Sequence, residues 1–282
     1  MRKRLIFSAR TLALFTPLLA AGIAEAQAED YWAADPVTGC QIWSDTPVDT
    51  AIATWSDACV DGKASGTGSL VWLEGGQLVG TYRGSMAGGK LNGPGVLQVK
   101  AEDGSGFDQI ETIFADGEPT GPGAALAANG DRFQGTFKGG AKDGFGVLTD
   151  ADGNFYEGTF KDGQPHGFGY LKGIDGETYL GELAAGAFEG EGLLLHANGE
   201  FYAGGFKVGL AEGVGRYEDL SGGIYAGQFS GGKPNGVGNY LTVDGTAIQG
   251  RFVDQKPDGM VLITAPDGTQ TVETWQNGEK VQ

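Results

Sequence analysis

The chain has 282 residues, including 53 glycines, 2 histidines and 2 cysteines, and its formal net charge is -17. Such an acidic excess disfavours nucleic acid and anionic lipid as partners, because both recruit clusters of Lys and Arg. Aromatic residues make up 10% of the chain, which disfavours disorder and leaves a periodic, glycine-rich fold as the better interpretation.

The first 26 residues predict a secretory signal peptide. Residues 2–4 are basic, residues 5–23 are largely apolar, and residues 24–26 read Ala-Glu-Ala, an A-x-A cleavage site. Arg10 and Pro17 interrupt the apolar run, which disfavours a membrane-spanning helix. We therefore expect an exported protein, periplasmic or alternatively secreted, with no transmembrane segment after signal cleavage.

Cys40 and Cys59 are the only cysteines of the chain. In an oxidising compartment a lone pair usually forms a structural disulfide, whereas a redox-active pair more often has C-x-x-C spacing. The pair therefore predicts a structural disulfide.

The rest of the sequence repeats every 23 residues. Counting from Tyr156 as offset 0, aromatic residues stand at offsets 0 and +4, and glycines at +2, +7, +11 and +13. This frame recurs at 23-residue intervals, and looser units begin at Tyr82 and Trp55. The other starts are Ile110, Phe133, Tyr179, Tyr202, Tyr225, Ile248 and Thr271.

Turn-forming residues stand twice in each unit. Asn-Gly or Asp-Gly pairs at offsets +19 and +20, such as Asp152-Gly153, favour tight hairpin turns. A second reversal is expected near offsets +6 to +10, as at residues 162–165. Two reversals per unit predict two short strands per unit.

Side-chain alternation assigns faces to these strands. Offsets 0, +2 and +4 share one face, and on the second strand we expect +11, +13 and +15 to share a face, as for Gly144, Gly146 and Leu148. Glycine in a strand marks a close approach, so the glycine rows are expected to leave room for rings of neighbouring hairpins.

The rings on this face are the candidate binding face. They either pack on one another as the core of the sheet or stay open in part as a groove. The residues are Tyr156, Phe160, Tyr179, Tyr202, Phe206, Tyr225 and Phe229.

These units resemble MORN (membrane occupation and recognition nexus) repeats, whose pattern Y-x-G-x-F/W-x-x-G-x-x-x-G-x-G is met in full from Tyr156 to Gly169. The resemblance implies an all-β fold, an elongated, open-ended single-sheet meander of repeated β-hairpins over residues 55–282. It also implies an interaction or scaffolding surface. Residues 27–54 belong to a Cys-containing head similar to the leader of exported bacterial relatives, and we interpret this disulfide-stapled segment as an N-terminal cap.

Three other motifs suggest chemistry only weakly. Residues 84–91 nearly match a phosphate-binding loop but have Leu91 in place of Ser or Thr, and residues 150–154 lack the later ligands of a calcium loop. His166 and His196 lie in different units, and we expect both in exposed turns. We therefore predict no catalytic residue, cofactor or metal site.

The sequence thus predicts a non-enzymatic exported repeat protein that offers a protein-interaction or scaffolding surface. A protein partner is expected, with self-association through a terminal strand near Thr271 as a further option. The alternative is a glycan-binding module, for peptidoglycan or an exopolysaccharide, that uses the aromatic face.

Overall fold

The computed structural model of the chain describes residues 31–44, 51–101 and 103–281. The described residues form β-strands, turns and short connections, and no helix. The predicted signal peptide, residues 1–26, lies outside the described residues. The described residues divide into two compact units, an N-terminal unit within Thr16–Gly153 and Thr159–Gln164 and a C-terminal unit within Asn154–Gly158 and Pro165–Gln282.

The first strands belong to the N-terminal unit. They are β1 Tyr31–Ala34, β2 Gln41–Ser44, β3 Ala51–Trp55, β4 Cys59–Val60, β5 Lys63–Ala64, β6 Gly66–Glu74, β7 Gln77–Ala87, β8 Lys90–Lys100, β9 Phe107–Ala115, β10 Glu118–Leu126, β11 Arg132–Lys138 and β12 Ala141–Thr149. Strands β1, β2, β5 and β4 form a small sheet in that order. Strand β3 pairs with β6, and consecutive strands from β6 to β12 pair antiparallel.

The division between the units falls within β13, Phe155–Lys161, and at the start of β14, Gln164–Lys172. The remaining strands of the C-terminal unit are β15 Thr178–Ala184, β16 Ala187–Leu195, β17 Phe201–Lys207, β18 Leu210–Glu218, β19 Ile224–Ser230, β20 Lys233–Leu241, β21 Ala247–Val253, β22 Lys256–Thr264, β23 Gln270–Gln276 and β24 Glu279–Lys280. Consecutive strands from β14 to β24 pair antiparallel. The predicted meander of repeated hairpins is confirmed.

Both predicted kinds of turn are present in the repeats. Asp162 and Gly163, which join β13 to β14, have φ angles of 49° and 82°, the double positive φ of a type I′ hairpin turn. The Asp-Gly turns also form, with Gly153 at 97°. Neighbouring hairpins are linked beside turns of the Asp162-Gly163 kind, since the Gly186 N–H donates to the Pro165 carbonyl at 2.8 Å.

Rings do fit against glycines, as at Tyr202, but within one hairpin and not between neighbouring hairpins as predicted. A β-carbon added at Gly215, on the neighbouring strand, would lie 2.5 Å from the Tyr202 hydroxyl oxygen. The hydroxyl donates to the Gly205 carbonyl at 2.9 Å. Phe206, at offset +4, packs edge to face on Tyr202 and on Tyr179 of the preceding repeat, with centroid distances of 5.0 and 5.3 Å. Glycine is therefore required here by close approach.

One predicted face assignment is wrong. At offset +11, Gly144 has a φ of 86°, and a β-carbon added there would point at Thr136 on the side opposite the rings. The cause is a register shift between Gly135 and Phe137, where β11 and β12 form a bulge. Offset +13 does face the rings, because a β-carbon on Gly146 would contact the Phe133 ring.

The small N-terminal sheet packs on the main sheet within its unit. Cys40 and Cys59 form the predicted disulfide, with a Cα–Cα distance of 5.6 Å. Cys40 lies in a buried cluster that includes Tyr82 and Phe114 of the main sheet. The Trp43 N–H donates to the Gly89 carbonyl at 2.9 Å, so the small sheet is also joined to the β7–β8 turn. The assignment of residues 27–54 as a separate cap segment stays a prediction.

Candidate functional site: a groove on the outer face

The aromatic face is buried. Each of the seven rings named above is between 0% and 5% exposed. In the C-terminal unit the rings pack edge to face, as Tyr225 does on Phe229 and Phe252 at centroid distances of 5.2 and 5.0 Å. This burial supports the interpretation of the rings as a core. We call the opposite side, which carries offsets +1, +3, +12 and +14, the outer face.

The outer face carries exposed apolar side chains at one repeated position. Offset +12 holds Phe145, Phe168, Val214, Val237 and Met260, which are between 57% and 76% exposed. Exposed apolar side chains are common when scattered, but a contiguous group marks a contact surface. In the N-terminal unit, Phe145 belongs to such a group.

A groove of about 1090 Å³ crosses the outer face of the N-terminal unit from β8 to β12. Its floor lies on β10, where Pro122, Gly123 and Ala124 are among the lining residues. One wall includes Ile113, which is 44% exposed, and the other includes Phe145, which is 57% exposed. The groove therefore has apolar walls that are accessible to a partner.

The groove arises because β10 carries small side chains between strands with larger ones. Ala124 is the cross-strand neighbour of Glu111 on β9 and of Gln134 on β11. These two are in turn paired with Val96 on β8 and Val147 on β12. A row of side chains across five strands thus has its smallest member at the centre.

The repeat that contains β9 and β10 departs from the pattern on its buried side too. Ile110 stands where half of the repeats have tyrosine, and Thr112 stands where most have glycine. The buried Thr112 hydroxyl lies 2.9 Å from the Thr120 carbonyl oxygen and 3.1 Å from that of Pro122, to both of which it can donate. Thr112 thus places a hydroxyl on the buried side of this repeat, but it bonds to carbonyls of β10, whereas the tyrosine hydroxyls of other repeats bond to a carbonyl of their own strand.

The polar lining of the groove is sparse. Glu111 is the one lining residue with an ionisable side chain. Gln134 adds an exposed carboxamide, whereas the Thr136 hydroxyl already donates to the Asp143 carbonyl. The site can therefore offer apolar contact, one negative charge and hydrogen bonds from one amide.

The other polar candidates lie elsewhere. The His196 Nδ1 is 2.5 Å from a carboxylate oxygen of Glu177, and both side chains are 12% exposed. His196 is therefore not the exposed turn residue that we expected. His166 is exposed, but on strand β14 and not in a turn. The His196 Nε2 is buried and has no hydrogen-bond partner among the described residues.

The two near-match motifs have structural surroundings. Residues 84–91 span the β7–β8 hairpin, where the Lys90 Nζ lies 4.6 Å from the centroid of the Trp43 ring. Residues 150–154 form one of the repeated Asp-Gly turns. Within the described part of the chain, no group of three or more His, Cys, Asp or Glu side chains is placed to hold a metal ion.

Comparison with protein families identifies the repeats. The model of the MORN repeat matches residues 82–98, 133–155, 156–178 and 225–247. The chain contains MORN repeats at these four positions. Three of the matched segments begin at starts of the 23-residue frame, the fourth begins at the looser unit of Tyr82, and the groove lies on repeats that include two of the four. MORN repeats are consistent with protein interaction.

Other comparisons add little. A search of curated protein sequences found no match. Among 47 matching chains of solved structures is the SAS-4 (dCPAP) TCP domain of Drosophila melanogaster, in complex with a proline-rich motif of Ana2 (dSTIL). It is 11% identical, with a TM-score of 0.37, and the match covers 63% of this chain and 88% of that chain.

No helix in residues 31–44, 51–101 and 103–281 is long and apolar enough to cross a membrane. The groove was not predicted from the sequence. A signal was nevertheless present, because the repeat from Ile110 has Pro122 and Ala124 where the next has Phe145 and Val147. Comparison of offsets +12 and +14 between repeats would have found it.

Proposed function

We propose that this chain is an exported, non-enzymatic repeat protein that binds a protein partner through the groove on the outer face of β8–β12. The observation that carries the proposal is the open groove, walled by Ile113 and Phe145. Apolar side chains that remain accessible on an otherwise acidic surface favour a contact role. Scaffolding follows if other outer-face positions, such as Phe168, bind a second partner.

The sparse lining supports a binding role over catalysis. General acid–base chemistry needs titratable groups held within hydrogen-bond reach of the reacting atoms. Among the lining residues only Glu111 is ionisable, so the groove offers no second titratable side chain for such a pair. The rings at the opposite face are core residues and are not accessible to a substrate.

The buried rings also weigh against the glycan alternative. Sugar recognition by stacking needs an accessible ring face, and the seven rings are at most 5% exposed. The exposed Phe145 and Phe168 could each contact a sugar, so glycan titration belongs in the test. Apolar walls on both sides of the groove favour a protein segment.

Export is supported by the basic start, apolar run and A-x-A site of residues 1–26, together with the Cys40–Cys59 disulfide. Cell fractionation of a host with an outer membrane should place the full-length gene product in the periplasm, with the disulfide formed. A reduced protein in the cytoplasm would contradict this part of the proposal.

The binding role is tested by quantitative affinity purification from the cell envelope. The wild type, Phe145→Ala and Phe168→Ala are compared, because positions 145 and 168 share offset +12 and similar exposure. Proteins recovered with the wild type and Phe168→Ala, but depleted at least about fivefold with Phe145→Ala, support the groove. Equal recovery with the three proteins, or purified glycan as the tighter ligand, contradicts it.

A further inference from the structure

We infer, on the basis of the proposed function, that the groove binds an extended polypeptide segment in which a Lys or Arg stands between apolar residues. The positive side chain pairs with Glu111, and the apolar side chains contact the walls formed by Ile113 and Phe145. The inference rests on the shape of the groove, on its one charge and on the acidity of the chain.

The shape fits an extended segment. The floor follows β10 over Pro122, Gly123 and Ala124, and the walls lie on strands to either side. Ile113 on β9 and Phe145 on β12 are three strands apart, which is ~14 Å at ordinary strand spacing. This spacing is measured between strand backbones, and the wall side chains narrow it. The groove therefore suits a single extended chain better than a helix, whose diameter with side chains is already ~10–12 Å.

The charge in the groove has no partner among the described residues. The Glu111 carboxylate makes no hydrogen bond or ion pair with any described residue, and the side chain is exposed. The nearest cation along the same cross-strand row is Arg83, which lies beyond Val96. Arg83 is therefore ~10 Å from Glu111 at ordinary strand spacing, so Glu111 remains available to a cation from the partner.

The surroundings of the groove favour the same partner chemistry. The chain carries a net charge of -17, which attracts basic segments and repels acidic ones before contact. In the groove, Gln134 lies on the other side of Ala124 from Glu111. Its carboxamide can donate to or accept from the main chain of a bound segment, which fixes the position of that segment against Glu111.

Apolar neighbours distinguish this partner from a simple polycation. Val96, Ile113, Phe145 and Val147 line the groove, so a run of basic residues would bury charge against apolar walls at a cost. A single cation with apolar flanks satisfies both the carboxylate and the walls. Side chains of an extended segment alternate in direction, so every second residue of the bound segment faces the groove. The apolar residues that contact the walls are therefore two positions before and after the cation.

The test uses synthetic peptides and the full purified chain. Three fluorescent peptides of about nine residues, ~30 Å when extended, have the same apolar flanks and a central Lys, Gln or Glu. Binding is measured by fluorescence anisotropy at low and high salt. We expect the Lys peptide to bind about threefold to tenfold more tightly than the Gln peptide, and the Glu peptide to bind most weakly, with the differences reduced by salt.

Matched variants assign the preference to one residue. Glu111→Lys should reverse the order of the Lys and Glu peptides, and Glu111→Gln should abolish the difference between them. Glu157→Lys is the control, because Glu157 is also exposed and holds the same offset, +1, in another repeat. It should leave the order unchanged, and circular dichroism should show the same sheet content for the variants.

The outcomes separate this inference from the proposed function. Binding that ignores the central residue, or a Glu157→Lys effect as large as that of Glu111→Lys, overturns the inference while the groove remains a protein-binding site. The absence of binding by any peptide also overturns it. If, in addition, Phe145→Ala recovers the same proteins as the wild type, the proposed function fails as well.

Discussion

The edge of the Tyr179 ring occupies the space that a side chain at position 192 would need. A β-carbon added at Gly192 would lie 2.6 Å from Cε2 and from the hydroxyl oxygen of Tyr179. The Tyr179 hydroxyl in turn donates to the Glu182 carbonyl at 2.7 Å. One glycine, one ring and one carbonyl thus define how the first strand of a hairpin packs against its second strand. The same arrangement recurs at Tyr202.

Gly192→Ala should therefore destabilise the protein by about 1–3 kcal/mol, because the added methyl group overpacks a filled space and displaces the Tyr179 ring. Chemical denaturation measures the change. Gly106→Ala is the control, since a β-carbon there would have only an ordinary contact at 3.4 Å, with Ala128. Equal effects of the two substitutions would show that ring packing is not the reason for the glycine.

Tyr179→Phe should cost about 1 kcal/mol at neutral pH, the usual value of one hydrogen bond. Burial, aided by the negative charges of Glu182, Glu189 and Glu191, raises the pKa of Tyr179 above its ordinary value of 10.0. As the pH rises above about 10, the unfolded state releases this proton and the folded state retains it, so the wild type loses stability.

The phenylalanine variant lacks this proton, so its deficit relative to the wild type should shrink above pH ~10, by at most about 1.4 kcal/mol per pH unit. Urea denaturation of both proteins at several pH values checks this. A deficit that is the same at neutral pH and at about pH 11 would contradict the burial of the hydroxyl. Phe133 shows that the repeat accepts phenylalanine at offset 0.

Lys142 is 4% exposed, and its Nζ lies 5.7 Å from the centroid of the Phe133 ring. Loss of hydration lowers the pKa of Lys142, with a smaller opposing effect from the charge of Asp131. Lys142→Met should thus stabilise the protein by about 1 kcal/mol at neutral pH, because it removes a desolvated charge.

The gain should decrease as the pH rises toward the ordinary lysine pKa of 10.5, because the folded state releases the lysine proton before the unfolded state does and the wild type is then relieved of its buried charge. Thermal unfolding at several pH values measures the trend. Lys138→Met, at an exposed position of β11, is the control and should change stability little. A loss of stability in Lys142→Met would mean that the ammonium group has a favourable role.

Reduction of the Cys40–Cys59 disulfide should lower the free energy of unfolding by about 3 kcal/mol, because the bond closes a loop with a sequence separation of 19. Denaturation with and without reductant measures the change. The variant with Cys40→Ala and Cys59→Ala should have the lower stability in both conditions. A wild type that is unaffected by reductant would show that the small sheet is held by other contacts alone.

The repeat period, the turns and the close approach of rings to glycines could be predicted from the sequence because each depends on residues within one repeat, although the ring belongs to the same hairpin and not, as predicted, to a neighbour. Asp162-Gly163 and Asp152-Gly153 specify turns locally, and Tyr156 with Gly158 and Gly169 specifies one packing unit. Such local signals recur from repeat to repeat, so a prediction that is uncertain for one repeat can be checked against the others.

Other features depend on several strands at once. The bulge that turns Gly144 toward Thr136 is a property of the β11–β12 register, and simple alternation of side chains does not predict it. The groove depends on Ala124 lying between Glu111 and Gln134, three residues from three strands. The pairing of His196 with Glu177 likewise joins separate strand ends. Predicting such features requires the register between strands as well as the residue pattern along each strand.

In-cell photocrosslinking from the outer face tests the central claim most directly. A photoreactive phenylalanine analogue is placed at position 145, in the groove, or at position 168, which has the same repeat offset and similar exposure. We predict a reproducible crosslink to one protein from position 145, lost with Glu111→Lys and absent from position 168. Equal crosslinking from both positions, or none from position 145, would contradict the account.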